Sequence, residues 1–154
     1  MKFSTREDIE APIAFVSAQV SDFDAFSRRA LRHGADVTHA RDGDIAVGAT
    51  WQLRFPFRGR QRNLEATLTQ WDPPNGYAVT GVSDGMAILS EVTLVALSPR
   101  RTRLAFAIDV RAKTLTARLL LQSMKLVKTK LTKRFKARVL DFAEEVEDRY
   151  RKAG

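Results

Sequence analysis

The sequence predicts an α+β fold: a seven-stranded antiparallel sheet wrapped around a long C-terminal helix, with two short helices after the first strand. Three observations lead there. Thr116 to about Tyr150 contains neither glycine nor proline and is rich in Leu, Ala, Lys, Arg and Glu, the composition of one uninterrupted helix. At about 1.5 Å per residue, roughly 35 residues of helix span about 50 Å. Between Gly34 and Lys113 the apolar residues instead alternate with period two through six segments, the mark of half-buried strands. The connections between those segments are too short for a crossover to a parallel strand, so neighbours run antiparallel.

Taken in order, Lys2 to Glu10 places Phe3, Thr5, Glu7 and Ile9 on one side and Lys2, Ser4, Arg6 and Asp8 on the other, giving the first strand. Ala11-Pro12 stops it, because proline has no ladder donor yet suits the first turn of a helix. The helix that starts there has Ile13, Val16 and Val20 on one side. Ser21-Asp22-Phe23-Asp24 breaks it and offers caps for a second short helix through Phe26, Ala30 and Leu31, which Gly34 ends as a left-handed C′ residue. The six later strands are Ala35 to Arg41, Ala49 to Phe57, Arg62 to Trp71, Gly76 to Ser83, Met86 to Ser98 and Thr102 to Lys113. Turn chemistry separates them: Asp42-Gly43-Asp44, Arg58-Gly59-Arg60, Asp72-Pro73-Pro74-Asn75, Asp84-Gly85 and Ser98-Pro99-Arg100-Arg101. Trp51, Leu53, Phe55 and Phe57, then Leu64, Ala66 and Leu68, then Leu104, Phe106, Ile108 and Val110 are the sets that need covering.

The terminal helix supplies the cover. Leu120, Met124, Val127, Leu131, Phe135, Phe142 and Val146 recur at steps of three, four and seven, one face of a 3.6-residue period. Laid across the concave side of a twisted sheet, that face buries both apolar sets at once.

This element order, the Ala11-Pro12 junction, the Trp71-Asp72-Pro73-Pro74 turn after a long strand and the terminal helix together resemble the START-like superfamily, also called SRPBCC, over essentially the whole chain. The superfamily includes polyketide cyclases, lipid-transfer domains and birch-pollen-allergen-like proteins. The resemblance implies a helix-grip fold over residues 1–154, with an apolar cavity between sheet and terminal helix entered near the short helices. Patterning alone yields the layers and buried faces; the hollow comes from the family. Phase then gives the ligand-facing candidates: Leu120, Met124, Val127 and Leu131 from the helix, Trp51, Leu53, Leu68, Phe106 and Ile108 from the sheet, and Phe26 and Met86 near the mouth.

Composition narrows the chemistry. With 154 residues and 44% hydrophobic content, the chain is large enough to bury a core of its own. It contains no cysteine, which excludes disulfides and thiolate chemistry and fits a reducing compartment. No run approaches 18 apolar residues and the first residues have no apolar h-region, so a soluble cytoplasmic protein is expected. The net charge of +8 permits anionic partners. Between Thr116 and Leu140 stand Arg118, Lys125, Lys128, Lys130, Lys133, Arg134, Lys136 and Arg138 without one acid. Asp141, Glu144, Glu145, Glu147 and Asp148 then reverse the sign.

Catalytic signatures are sparse. His33 and His39 flank Gly34 without metal-ligand spacing, and no G-x-S-x-G elbow or glycine-rich phosphate cradle occurs. No metal or cofactor is expected. Glu91 and Asp109 lie within strands with apolar neighbours on the opposite face, so both should point to solvent, as should Arg54, Arg62 and Glu65. Arg138 falls between Phe135 and Phe142 inside the apolar stripe. There it either snorkels, pairs with Asp141 or a nearby acid, or faces a ligand carboxylate or phosphate.

The first functional expectation is a carrier or sensor of a small hydrophobic or amphipathic molecule such as a lipid, quinone or polyketide, and not an enzyme. The alternatives are a cyclase or dehydratase working in the same cavity, or a module that binds anionic membrane surface through the basic helix. Nucleic acid is disfavoured because no stacking aromatics accompany the lysines.

Overall fold

The computed structural model describes residues 1–39 and 45–154. Strand β1 (Lys2–Ile9) is followed by helices α1 (Ile13–Val20) and α2 (Phe23–Arg32). Six strands come next: β2 (Asp36–His39), β3 (Thr50–Phe57), β4 (Arg60–Asp72), β5 (Gly76–Ser83), β6 (Met86–Ser98) and β7 (Arg101–Ala112). Helices α3 (Leu115–Lys125) and α4 (Lys128–Ala153) end the chain. The seven strands form one antiparallel sheet in the order β1-β7-β6-β5-β4-β3-β2. The expected strand end at Ala40-Arg41 and the Asp42-Gly43-Asp44 connection lie outside the described residues.

Local chemistry fixes the joints. Pro12 sits at the N-cap of α1, where its missing N–H leaves no donor unpaired. The Asp22 carboxylate accepts the Ala25 N–H at 3.1 Å and starts α2, and Gly34, at φ +89°, ends it. Arg58-Gly59 and Asp84-Gly85 each have two successive positive φ angles, the geometry of a type I′ turn whose twist matches the strands it joins. Two-residue turns of this kind lock the registers of β3 with β4 and β5 with β6.

Those registers put Phe3 beside Ile108, Phe106 beside Val92, Val79 beside Leu68, and Trp51 beside Ala66 on one face. That concave face is covered unevenly. Over β1, β7 and β6, helices α1 and α4 close a dense core of Ile9, Val16, Val20, Val92, Leu94, Leu104, Val139, Ala143 and Val146. Toward β2 the cover comes from α2.

The terminal helix departs from the expected single rod. It breaks at Leu126 and Val127, where Val127 leaves helical geometry at φ −115°, ψ 20° and its N–H bonds back to the Met124 carbonyl at 3.1 Å. No glycine or proline marks the place. Tertiary contacts do: Ala117 and Leu121 of α3 pack with Met86, Met1 and Val110 at one end of the sheet, whereas α4 follows β1 and α1. A twisted sheet does not offer both positions to one straight rod, and the chain yields at β-branched Val127, a weaker helix former.

Two further expectations are corrected. Arg138 is exposed, because the stripe of α4 runs through Phe135, Val139, Phe142, Ala143 and Val146, one step round the wheel from it. Arg62 is not on the solvent face. It shares the parity of Leu64 and Ala66, its side chain is largely covered, and it donates to the Phe57 carbonyl at 3.2 Å and to Asp84 at 3.1 Å. Glu91, Glu65 and Arg54 are exposed as expected, and Asp109, on the outer face, is half-buried and pairs with Arg111 at 3.1 Å.

Candidate functional site

Helix α2 carries Phe23, Phe26, Ser27 and Ala30 at positions i, i+3, i+4 and i+7, so all four share one face. The face looks onto Val37 of β2, Trp51 and Leu53 of β3, Ala66 of β4 and Val79 of β5. Between them lies a partly open cavity of about 250 Å³. Small Ala66 and Ala30 leave the space that larger residues occupy elsewhere in the sheet, and aromatic rings frame it.

Rigid contacts hold that frame. Phe23 packs its ring 5.0 Å from Trp51, 5.2 Å from Tyr77 and 6.3 Å from Trp71, distances at which tilted aromatic pairs attract. Phe26 lies 5.7 Å from Phe142 of α4, and Arg29 pairs with Glu145 at 2.7 Å, tying α2 to the terminal helix. The Tyr77 hydroxyl donates to the Val20 carbonyl at 2.6 Å. Burial pushes the Tyr77 phenol well above its ordinary value, so it stays neutral and serves as a fixed strut between β5 and α1.

The lining is almost wholly apolar. Its one hydroxyl, on Ser27, donates within the helix to the Phe23 carbonyl at 3.0 Å. Beside it, His39 stacks on Trp51 with ring centroids 4.8 Å apart and an interplanar angle of 11°. The buried Nε2 of His39 has no hydrogen-bond partner among the described residues. No three carboxylates or imidazoles converge on a metal geometry among those residues.

Of the residues expected to face a ligand, Phe26, Trp51 and Leu53 line this cavity. Leu68 is fully buried in the sheet face two residues beyond Ala66. Met86 is buried against Ala117 and Leu121, and Leu120 packs beside them. Phe106 stacks on Phe135 at 5.5 Å in the dense part of the core. Ile108, Met124 and Leu131 are half-buried, while Val127 and Arg138 are exposed. The terminal helix contributes no residue to the cavity wall, because α2 stands between them. Sequence reasoning missed Phe23, Ser27, Ala30, Val37, Ala66 and Val79. The i, i+3, i+4, i+7 spacing of α2 carried the signal for three of them, and the parity of Leu64 and Leu68 carried it for Ala66.

No family model matches the sequence, and no curated protein matches it. Solved structures do. The fold is similar to the ZhuI aromatase/cyclase from Streptomyces sp. R1128, at 17% identity and TM-score 0.71 over 100% of this chain and 98% of that one. A protein from Thermus thermophilus is similar at 13% identity and TM-score 0.68, over 95% of this chain and 97% of that one. A START superfamily protein from Mycobacterium smegmatis follows at 15% identity and TM-score 0.57, over 86% of this chain and 95% of that one. The chain thus has the START-like helix-grip fold.

Proposed function

We propose that this protein binds a small apolar or amphipathic molecule in the cavity between α2 and strands β2 to β5. One observation carries the reading: a hollow of about 250 Å³ framed by Phe23, Phe26 and Trp51, with its only lining hydroxyl already engaged. Burying apolar ligand surface against such walls is favourable at about 25 cal/mol per Å². Flat aromatic ligands gain further from ring contacts. The size suits a compact molecule or one end of a longer one, near the lower limit for ligand pockets.

A cyclase-type enzyme is the second reading, favoured by His39. Its Nε2, without a hydrogen-bond partner among the described residues, lies beside Trp51 of the cavity wall, imidazole is the side chain most often used for proton transfer, and a similar structure bears the name aromatase/cyclase. A ring-closing activity lost in His39→Gln while ligand uptake persists would make this the better reading.

Titration with the neutral dye N-phenyl-1-naphthylamine tests the binding site. The wild type should enhance dye fluorescence saturably, and Ala66→Phe, which fills the hollow, should abolish the enhancement while the protein stays folded. Equal enhancement by the filled variant would refute the site.

A further inference from the structure

Helix α3 is apolar on two opposite faces. Ala117 and Leu121 are buried against the sheet, as any amphipathic helix requires. On the far side Leu115 and Leu119, four residues apart, are 71% and 60% exposed. At the bend that follows, Leu126 is 87% and Val127 43% exposed. Four large aliphatic side chains thus project from one helix and its knee with nothing among the described residues to cover them, whereas isolated exposed apolar residues are ordinary.

Their surroundings are cationic. Lys113, Arg118, Lys125, Lys128 and Lys130 are all exposed around the leucines. None of the five makes an ion pair among the described residues, and no acidic residue occurs between Val110 and Leu140. Beside the stripe, Arg111, Arg118, Gln122 and Lys125 rim a hollow of about 350 Å³ floored by Met1 and Val110, with room for a phosphate group. Arg111 pairs with Asp109, two residues away on the same strand, which leaves Arg118 and Lys125 to an incoming anion.

We infer that α3 and the α3–α4 bend form a docking surface for an anionic lipid bilayer, the leucines entering the headgroup boundary and the lysines meeting lipid phosphates. The chemistry selects this partner over others. Aliphatic side chains do not stack on bases, so nucleic acid would leave the leucines unused. A second copy of the chain would bring the same uncompensated positive charge against itself. A bilayer meets both demands at once, as with interfacial amphipathic helices. No helix among the described residues is long and apolar enough to cross a membrane, so the contact is peripheral. The docking surface shares no residue with the cavity, and the two stand or fall separately.

Vesicle co-sedimentation tests it, with phosphatidylcholine vesicles containing roughly a third phosphatidylglycerol and with phosphatidylcholine alone. The full chain should sediment with the anionic vesicles and not with the neutral ones. Each cation near the surface is worth roughly a five-fold change in partitioning, so Lys125→Glu with Lys128→Glu should lower binding by more than roughly 25-fold. Leu119→Ser with Leu126→Ser, both at exposed positions that leave the core intact, should also release the protein at unchanged charge. Binding to anionic vesicles that survives the leucine changes would overturn the proposal, as it would reduce to charge adsorption alone. So would a wild-type protein that stays in the supernatant, or one whose leucine changes only convert a dimer to a monomer on size-exclusion chromatography.

Discussion

The two halves of the concave sheet face share strands, twist and alternation, yet one is solid and the other hollow. Over β1, β7 and β6 the facing residues are Ile9, Leu104, Val92 and Leu94, and two helices press Val16, Val20, Val139 and Val146 into them. Over β3 to β5 the sheet offers Trp51, Leu53, Ala66 and Val79 to a single helix whose contact residues include Ser27 and Ala30. Two differences separate the halves: two covering helices against one, and fully buried branched aliphatics between the rings of the solid half against Ala30 and Ala66 between those of the hollow one. Rings set around alanines cannot collapse onto one another, because each ring is already held by a neighbour. The same scaffold therefore carries stability on one side and leaves the other free to accept a guest.

Mutations that remove volume from the solid half should hurt most. Leu104 is buried between Leu94 and the α4 stripe, and Leu104→Ala should lower unfolding free energy by about 3 kcal/mol in urea titration, since the surrounding core closes a void only in part. An effect below about 1 kcal/mol would mean that this half is as loosely packed as the other. Tyr77 stands on the border, with one side against Phe23 and its hydroxyl on the Val20 carbonyl. Tyr77→Phe keeps the ring and strands a buried acceptor at the end of α1, so a loss of about 1 to 2 kcal/mol is expected. In the hollow half the sign changes. Val79→Phe adds volume where space exists, so stability should shift by less than about 1 kcal/mol while uptake of a neutral apolar dye falls at least ten-fold. A large destabilisation there, measured by the same urea titration, would show that the space is not available to a ligand.

The layers and strands were legible in the sequence, the contrast between the two halves was not, and the difference has physical causes. Alternation and turn residues fixed the strands because each is a local property: Asp84-Gly85 needs only its own two φ angles to make a hairpin. Which half would be hollow depended on which helix covers which strands, and that is set by distant partners such as Phe26 with Phe142 and Arg29 with Glu145. The apolar stripe of the terminal helix was real, but its phase was read as one rod. The bend at Val127 hands the stripe from Ala117 and Leu121 to Val139, Ala143 and Val146, and this places Arg138 outside it. Arg62 was readable by parity with Leu64 and Ala66, yet its charge argued for solvent. Its cover comes from Phe57, five residues back in the same hairpin, and from Asp84 in the next hairpin, and the second contact lies outside any local window.

The smallest expected effect lies on the outer rim of the solid half, where β1 must stay paired to β7 for α4 to have a surface to rest on. Asp8 stands opposite Arg103 in the ladder, and its carboxylate accepts from the Arg103 guanidinium at 2.8 Å and 3.2 Å. That hydrogen bond, with added attraction from Arg103, Arg101 and Arg6, holds the Asp8 carboxyl below its usual range. A carboxyl whose folded value is depressed stabilises the fold above its unfolded value and gives that contribution up as pH falls through the folded one. The pair faces water, where screening leaves little net energy. Wild-type stability should therefore drop more steeply than that of Asp8→Asn between about pH 5 and pH 2, while the two run parallel from about pH 6 to pH 8. Parallel curves through the acid range as well would show that β1 is held to β7 by its backbone ladder and by Phe3 and Ile9 from inside, with no help from the charged rim.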